Sequence, residues 1–507
     1  MKKSKYILLA FIVLKFVLQY FAINPVYELH RDELLHIDLG KHLAWGYTSV
    51  PPLTGLLSSF ILLLGNSVFW VKFFPALFGA LVIWVVWKIV EELNGGLFAQ
   101  ILAATSVLFS VFVRINILYQ PNSLDFLCWT LLFFTFLKYI KTQENRWLYY
   151  TAVVLALGLL NKYNIVFLVL GLVPAILLTR QRTVLKNKHF WLAALLAGLL
   201  VLPNIIWQIS NALPLVTHMQ TLASTQLVNV NRADFLIDQL IFFPGSLLVI
   251  LLAFVSFYTY QPHKNYRVFF YAFVFTMVIF TYLRAKNYYS IGLYPAFIVF
   301  GAVYLEKLLS GGWLRYLRIP VILVPVLVFM PVAPIMLPVY SPGQILEKQE
   351  LFNKYGANRW EDGQLHDLPQ DYADMQGWRE LAHLVDSAFT LVDDKAHTII
   401  HCDNYGQAGA INYYAAQKYT EALSMNADYI FWYPLDEVKI ENVILVQTSD
   451  DDDPERTRER AFFEKISLIG KIQNPYARER GTSVYLLQGA KVSINDILRE
   501  EIESRKH

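Results

Sequence analysis

Residues 28–52, ELHRDELLHIDLGKHLAWGYTSVPP, crowd Glu28, Asp32, Glu33 and Asp38 with Arg31, Lys41 and three histidines between one long apolar segment and the next. Asp32 and Glu33 form an acidic pair able to take or orient a proton. On a helix, His36 would share a face with Asp32 at i,i+4. His30, His36 and His42 would not share one, because each step of six residues turns a helix by about 240°. Comparable groups recur downstream: Arg114 and Asp125 in RINILYQPNSLDFLCW, Lys162 in LLNKYNIVF, and Arg284, Lys286, Tyr288 and Tyr289 in RAKNYYSIGLYP. Carboxylates that handle an acceptor proton, beside cations and hydroxyls that stabilise a departing phosphate, suit attack on an anomeric carbon.

Plainer roles exist for each. Asp32 and Glu33 could be solvated or could cap a helix, and Asp125 could make an interhelical hydrogen bond or pair with Arg114. Lys162, Arg284 and Lys286 could snorkel to an interface, and Tyr288 and Tyr289 could belong to an aromatic belt. The acids and histidines of 28–52 could hold a divalent metal, but no spacing is diagnostic of one. No metal ligand set is assigned, and a lysine-neutralised phosphate needs no cofactor to leave.

The elements that must position these groups are set by composition. The 507 residues are 56% hydrophobic, 15% aromatic and only 16% charged, with a mean hydropathy of +0.40. That is the composition of an integral membrane protein with the bilayer as its partner. A net charge of +3, with basic residues not gathered in one patch, gives no support to a nucleic-acid partner. Cys128 and Cys402 lie in unlike regions, so no disulfide framework is expected. The N-terminal MKKSK and its apolar run, which contains Lys15 and ends at NPVYE without a small-residue cleavage site, read as a retained first span.

Apolar runs near 6–23, 67–90, 97–113, 122–140, 147–160, 164–179, 190–208, 236–258, 267–283, 288–305 and 319–338 predict about eleven membrane helices. Lys and Arg concentrate in alternate loops: 2–5, 138–146, 180–188, 264–267 and 307–318. Those loops are therefore cytoplasmic. The other set faces outward: the first loop 24–66, then 114–121, 161–163, 209–235, 284–287 and everything after about 340. Pro51 and Pro52 fix a rigid turn.

A transmembrane domain is thus expected over 1–339 and a soluble extracytoplasmic α/β domain over 340–507. In the latter, 378–389 has helical periodicity, and HTIIHC, DYIFWY, NVILVQT and SVYLLQG are short apolar runs between turn signals. A transporter or flippase of a lipid-linked sugar is the alternative. It predicts charges near the midplane and broken helices in matching halves, whereas these charges gather on one side and no repeat is visible. A sensor or scaffold would have no need of Asp125 or Lys162 within the spans.

The segments RDELLHIDLGKHLAWGYTSVPPL, PNSLDFLCWTL, GLLNKYNIVF, KNYYSIGLYP, LPQDYADMQGW and DNYGQAGAINYYA together resemble bacterial members of glycosyltransferase family 39. These belong to the GT-C superfamily, with the protein O-mannosyltransferases and the aminoarabinose transferase that modifies lipid A. The resemblance implies a polyprenyl-phosphate-linked sugar donor and inverting transfer on the outer face of the bacterial cytoplasmic membrane. The acceptor would be a glycolipid, lipid A, a wall polymer or a protein. It implies an acid or Asp-Glu pair in the first exterior loop, matched by Asp32 and Glu33, and a second acid matched by Asp125. Lys162 and the turn 286–289 look like donor-phosphate contacts, with His36, Arg114 and Arg284 as further substrate-side candidates. The chain lacks the long exterior insert of eukaryotic protein mannosyltransferases, which argues against a protein acceptor.

Overall fold

The computed structural model describes residues 2–225, 227–418 and 420–506. They fall into two compact units: 1–23, 44–54 and 67–339 form one, and 24–43, 55–66 and 340–507 the other. The 24–66 loop is therefore divided, most of it folding with the C-terminal residues.

In the first unit each expected apolar run is helical, but the helices differ in length. Among the described residues six have the length and apolarity to cross a membrane, at Lys3–Phe21, Val68–Glu92, Asn122–Thr142, Lys188–Ser210, Asn287–Leu308 and Gly312–Met336. Two bent pairs bring the number to eight: Ile165–Leu177 with Arg180–Lys186, at 103°, and Arg232–Ile241 with Pro244–Thr259, at 73°. The expected eleven spans thus include helices such as Leu97–Leu108 and Arg146–Asn161, of 12 and 16 residues, below the ~20 residues that cross hydrocarbon unaided. Asn287–Leu308, Asn122–Thr142 and Val68–Glu92 are mostly buried by other helices, while few residues of Lys3–Phe21 and Gly312–Met336 are buried. The polar side chains of interest lie on or beside the inner group.

Small residues let these helices close up. A Cβ on Gly301 would overlap the Val249 carbonyl, and one on Gly171 would overlap Thr276. These contacts seat Tyr294–Leu308 against Leu247–Thr259 and Ile165–Leu177 against Arg267–Tyr282.

The second unit holds a five-stranded sheet of β1 (Thr398–Cys402), β2 (Ala422–Ser424), β3 (Asn442–Gln447), β4 (Phe463–Lys471) and β5 (Ser483–Ala490), in the order β2-β1-β3-β5-β4. β1 runs parallel to β2 and β3, with Ile400 opposite both Ala422 and Ile444, and β5 is antiparallel to β3 and β4. Helix Tyr405–Tyr414 makes the crossover from β1 to β2. HTIIHC, NVILVQT and SVYLLQG form β1, β3 and β5, as their patterns predict. DYIFWY does not form a strand. Ala427 takes a left-handed φ of 55°, and Ala427–Phe431 coils into a 3-10 helix that buries Asp428 and Tyr429. Strand β4, FEKISLIGK, lies at the sheet edge with a largely exposed burial pattern, and its polar residues hid it from a search for apolar runs.

The 24–66 stretch is structured, with helices Arg31–Leu39 and Leu53–Leu63. Arg31–Leu39 packs on Tyr405–Tyr414, where Gly409 leaves room for Leu34. Asp38, 2% exposed, anchors the contact by accepting from Lys41, Asn412 and the Tyr429 hydroxyl, each at 2.7 Å.

Replacing Gly301 by leucine should force the two membrane helices apart at Val249, at a cost of roughly 1–3 kcal/mol from overpacking. Size-exclusion profiles and thermal unfolding in detergent should show a lower yield of monodisperse protein and a lower midpoint than wild type.

Candidate active site

In the second unit the acidic pair divides its work. His30 caps helix Arg31–Leu39, its Nδ1 accepting from the Asp32 backbone N–H at 3.1 Å. The Glu33 carboxylate reaches back to accept from the His30 N–H at 2.9 Å, the reciprocal pattern of a capping box. Glu33 is fully buried. Asp32 instead keeps about a third of its side chain exposed, 32%.

Asp32 Oδ1 accepts from the Tyr405 hydroxyl at 2.8 Å. The Arg31 guanidinium lies 4.4 Å from the centre of the Tyr405 ring and 3.9 Å from Asp374, which Arg478 also contacts at 3.2 Å. Burial alone would raise the Asp32 carboxyl, but the charges of His30, His36 and Arg31 and the Tyr405 hydrogen bond outweigh it and hold the group below the ordinary carboxylate range. His36 is buried on the same helix, where the i,i+4 spacing places it with Asp32. Glu28 belongs to the framework: it accepts from the Trp378 backbone N–H at 2.6 Å at the start of helix Trp378–Thr390.

The second set lies in the membrane unit. Asp125, in the first turn of Asn122–Thr142 and fully buried, accepts from Trp129 Nε1 and from Asn164 Nδ2, both at 3.0 Å. The Asn164 amide also donates to the Tyr289 carbonyl at 3.0 Å. Lys162 stands where the chain leaves helix Arg146–Asn161 in an extended conformation. Its ammonium donates to Asn122 Oδ1 at 2.5 Å and lies 4.6 and 5.2 Å from the ring centres of Tyr289 and Tyr288. Asp125 and Lys286 are the charges that act on it. Asn161 donates to the Pro121 carbonyl at 2.8 Å, tying the two helix ends together. Asp125, Lys162, Lys286, Tyr288 and Tyr289 therefore form one neighbourhood.

Arg284, at a left-handed φ of 53°, donates to the Val228 carbonyl at 3.4 Å and lines an open cleft of about 370 Å³ with Val228, Val230, Asn231 and Arg232. Arg114 lies on the four-residue helix Phe112–Ile115, and the Asp125 carboxylate is occupied by Trp129 and Asn164. Among the described residues the one set of His and carboxylate groups with converging ligand atoms is Asp394, His397 and Glu441, far in sequence from 28–52. There Asp394 already bonds His397 at 2.6 Å and Glu441 bonds Lys439 at 2.7 Å. Residues that sequence reasoning did not single out are Asn122, Asn164 and Tyr405. The signal for the asparagines was their spacing, three residues before Asp125 and two after Lys162. Tyr405 had none beyond its place in DNYGQAG.

Residues 49–207 match the family model for dolichyl-phosphate-mannose-protein mannosyltransferase. Among solved structures the chain is similar to ArnT from Cupriavidus metallidurans. The form bound to undecaprenyl phosphate is 12% identical with a TM-score of 0.63, covering 96% of this chain and 98% of that one. The apo form is 11% identical with the same TM-score, covering 98% and 99%. Archaeal oligosaccharyltransferase AglB from Archaeoglobus fulgidus, in complex with an inhibitory peptide and a dolichol-phosphate, is 12% identical with a TM-score of 0.47, covering 87% and 69%. No curated protein matches the chain in sequence. The fold is that of ArnT over nearly the whole of both chains, and the resemblance read from the motifs runs in the same direction.

The depressed Asp32 group makes a signed prediction. Its contribution to stability is complete above the ordinary carboxylate value of about 4 and is lost as pH falls through the lowered value. Tyr405→Phe removes one of the interactions that lower it, so acid unfolding should begin at higher pH than in wild type. Fluorescence-monitored acid titrations of the two proteins test this, and identical acid limbs would contradict it.

Proposed function

We propose that the protein is a membrane glycosyltransferase that moves a sugar from a polyprenyl-phosphate donor to an extracytoplasmic lipid or glycan acceptor, with inversion at the anomeric carbon. The observation that carries this reading is the environment of Lys162. Its ammonium sits at a break between membrane helices and donates to a neutral amide, and among the described residues no carboxylate lies within ion-pair distance of it. A cation without a direct ion-pair partner among the described residues suits an anionic lipid headgroup. The undecaprenyl phosphate bound by the similarly folded ArnT supports a ligand of that class. The bias of lysine and arginine between alternate loops supports transfer on the outer face of the cytoplasmic membrane.

In this reaction the acceptor oxygen forms a bond to C1 of the sugar as the bond from C1 to the phosphate oxygen breaks. The electron pair leaves with the polyprenyl phosphate, whose charge Lys162 and Lys286 neutralise. Asp32, ionised at neutral pH and partly open, accepts the hydrogen bond of the acceptor hydroxyl and takes its proton as the new bond forms. Glu33 serves by fixing the start of the helix that carries Asp32. Asp125 and Asn164 hold the backbone around Lys162 and Tyr289 in place.

Two substitutions separate these roles. Lys162→Met should weaken binding of undecaprenyl phosphate by about tenfold or more, as expected for loss of a charge-assisted contact, measured with purified protein in nanodiscs. Asp32→Asn should bind the lipid phosphate normally but transfer sugar about 10²–10⁴-fold more slowly. Transfer is read as a sugar-sized mass increment on envelope glycolipids, after a deletion strain has shown which increment disappears. Full turnover by a folded Asp32→Asn protein would falsify the proton-transfer role.

A further inference from the structure

We propose that Lys15 and Gln19, in the first membrane helix, are positioning residues for the lipid-phosphate site at Asn122 and Lys162. The inference rests on the function proposed above. An ammonium in a membrane helix is expensive, and Lys15 does not escape by snorkelling, since it is 1% exposed and Gln19 only 2%. No carboxylate among the described residues pairs with Lys15. A methionine would fill the same volume without a charge to desolvate, so the ammonium is retained for the bond it makes.

That bond is to backbone. Lys15 Nζ donates to the Phe112 carbonyl at 3.3 Å, and Gln19, one turn along the same face, donates to the Val113 carbonyl at 3.1 Å. Both carbonyls belong to Phe112–Ile115, the short helix in the interruption between Leu97–Leu108 and Asn122–Thr142. The connection continues toward the site. Asn116 Nδ2 donates to Ser123 Oγ at 2.9 Å, and Ser123 Oγ donates to the Ile115 carbonyl at 3.4 Å. Ser123 stands next to Asn122, the acceptor for Lys162. Gly79 makes the arrangement possible, because a Cβ there would overlap both Asn116 Oδ1 and Lys15 Cε. The Asn116 Oδ1 and Gln19 Oε1 atoms are buried and lack a hydrogen-bond partner among the described residues, and Lys15 Nζ and Gln19 Nε2 are the side-chain donors to the Phe112 and Val113 carbonyls. Removing Lys15 leaves the interruption free to shift, and a displacement of about 1 Å at a binding group can cost 10²-fold.

The test uses the full chain in nanodiscs, labelled with 5-fluorotryptophan. Trp129 donates to Asp125 one turn from Asn122 and reports on that helix start. Its ¹⁹F line is assigned with Trp129→Phe, and that of Trp378 in the other unit with Trp378→Phe. In Lys15→Met, and separately in Gln19→Leu, the Trp129 line should move while the Trp378 line stays. The donor KM should rise about tenfold in Lys15→Met, and Lys15→Arg should restore both readouts. Loss of folded enzyme alone would lower the maximal rate and leave KM unchanged. An unmoved Trp129 line, or an unchanged donor KM in a folded variant, overturns the proposal. If Lys15→Met does not fold, Gln19→Leu decides by the same readouts. If wild type transfers no sugar while the Trp129 line still moves, the proposed function fails and the pinning of the interruption is upheld.

Discussion

A backbone carbonyl or N–H in hydrocarbon has no water to fall back on, so a membrane segment either satisfies its own hydrogen bonds as a helix or borrows partners from neighbouring side chains. This constraint decides where the polar residues of the membrane unit can stand. Its main internal departures from helix borrow in this way. The interruption after Leu97–Leu108 takes donors from Lys15 and Gln19, and the side chains at the break after Arg146–Asn161 supply donors to two others, Asn161 to the Pro121 carbonyl and Asn164 to the Tyr289 carbonyl. Before Tyr294–Leu308, Gln239 donates to the Asn287 carbonyl and accepts from Ser290 and Tyr294. Breaks of this kind are tolerated where they are buried in protein or line a cavity, and Lys162, Tyr288 and Tyr289 stand at two of them. The candidate site and the irregular backbone share a location for one physical reason.

The second unit obeys a different economy. The acids of the 28–42 stretch look alike in sequence, yet three of the four are occupied in fixing structure. Glu28 accepts the first N–H groups of a helix, Glu33 closes a capping box, and Asp38 gathers three donors on one buried carboxylate. Only Asp32 combines partial exposure with neighbours that keep it ionised. Burial and hydrogen-bond saturation, rather than residue type, distinguish the three anchors from Asp32.

The pattern of what was legible follows from the range of each interaction. Apolar runs are local, and every membrane helix was readable from them, as were β1, β3, β5 and the helix at 378–390. The gathering of Asp125, Lys162, Lys286 and the two tyrosines was readable because all occur beside helix ends that the loop charges had placed together. By contrast, the partners of the 28–42 stretch, such as Trp378, Tyr405, Asn412 and Tyr429, lie hundreds of residues away. No local pattern could show that this loop folds with the C-terminal unit. Nearness to Lys286 in sequence does not show the contact Arg284 makes: at a left-handed φ, it donates to the Val228 carbonyl. DYIFWY misled for the same reason, since β-propensity reports fit to a half-buried pleated surface and cannot anticipate a positive φ at Ala427.

Asp125 and Lys162 also show why a buried ionic pair and a binding site make opposite demands. A direct ion pair would ease the cost of holding two charges at membrane depth, but each would then neutralise the other. Here the carboxylate is satisfied by an indole and an amide, and the ammonium by an amide oxygen and two aromatic rings. Neutral donors and acceptors support a charge without cancelling it, which is what the proposed contact of Lys162 with a lipid phosphate requires. Replacing Asn122 by aspartate would create the missing pair, secure Lys162 more tightly and remove the reason for its being there.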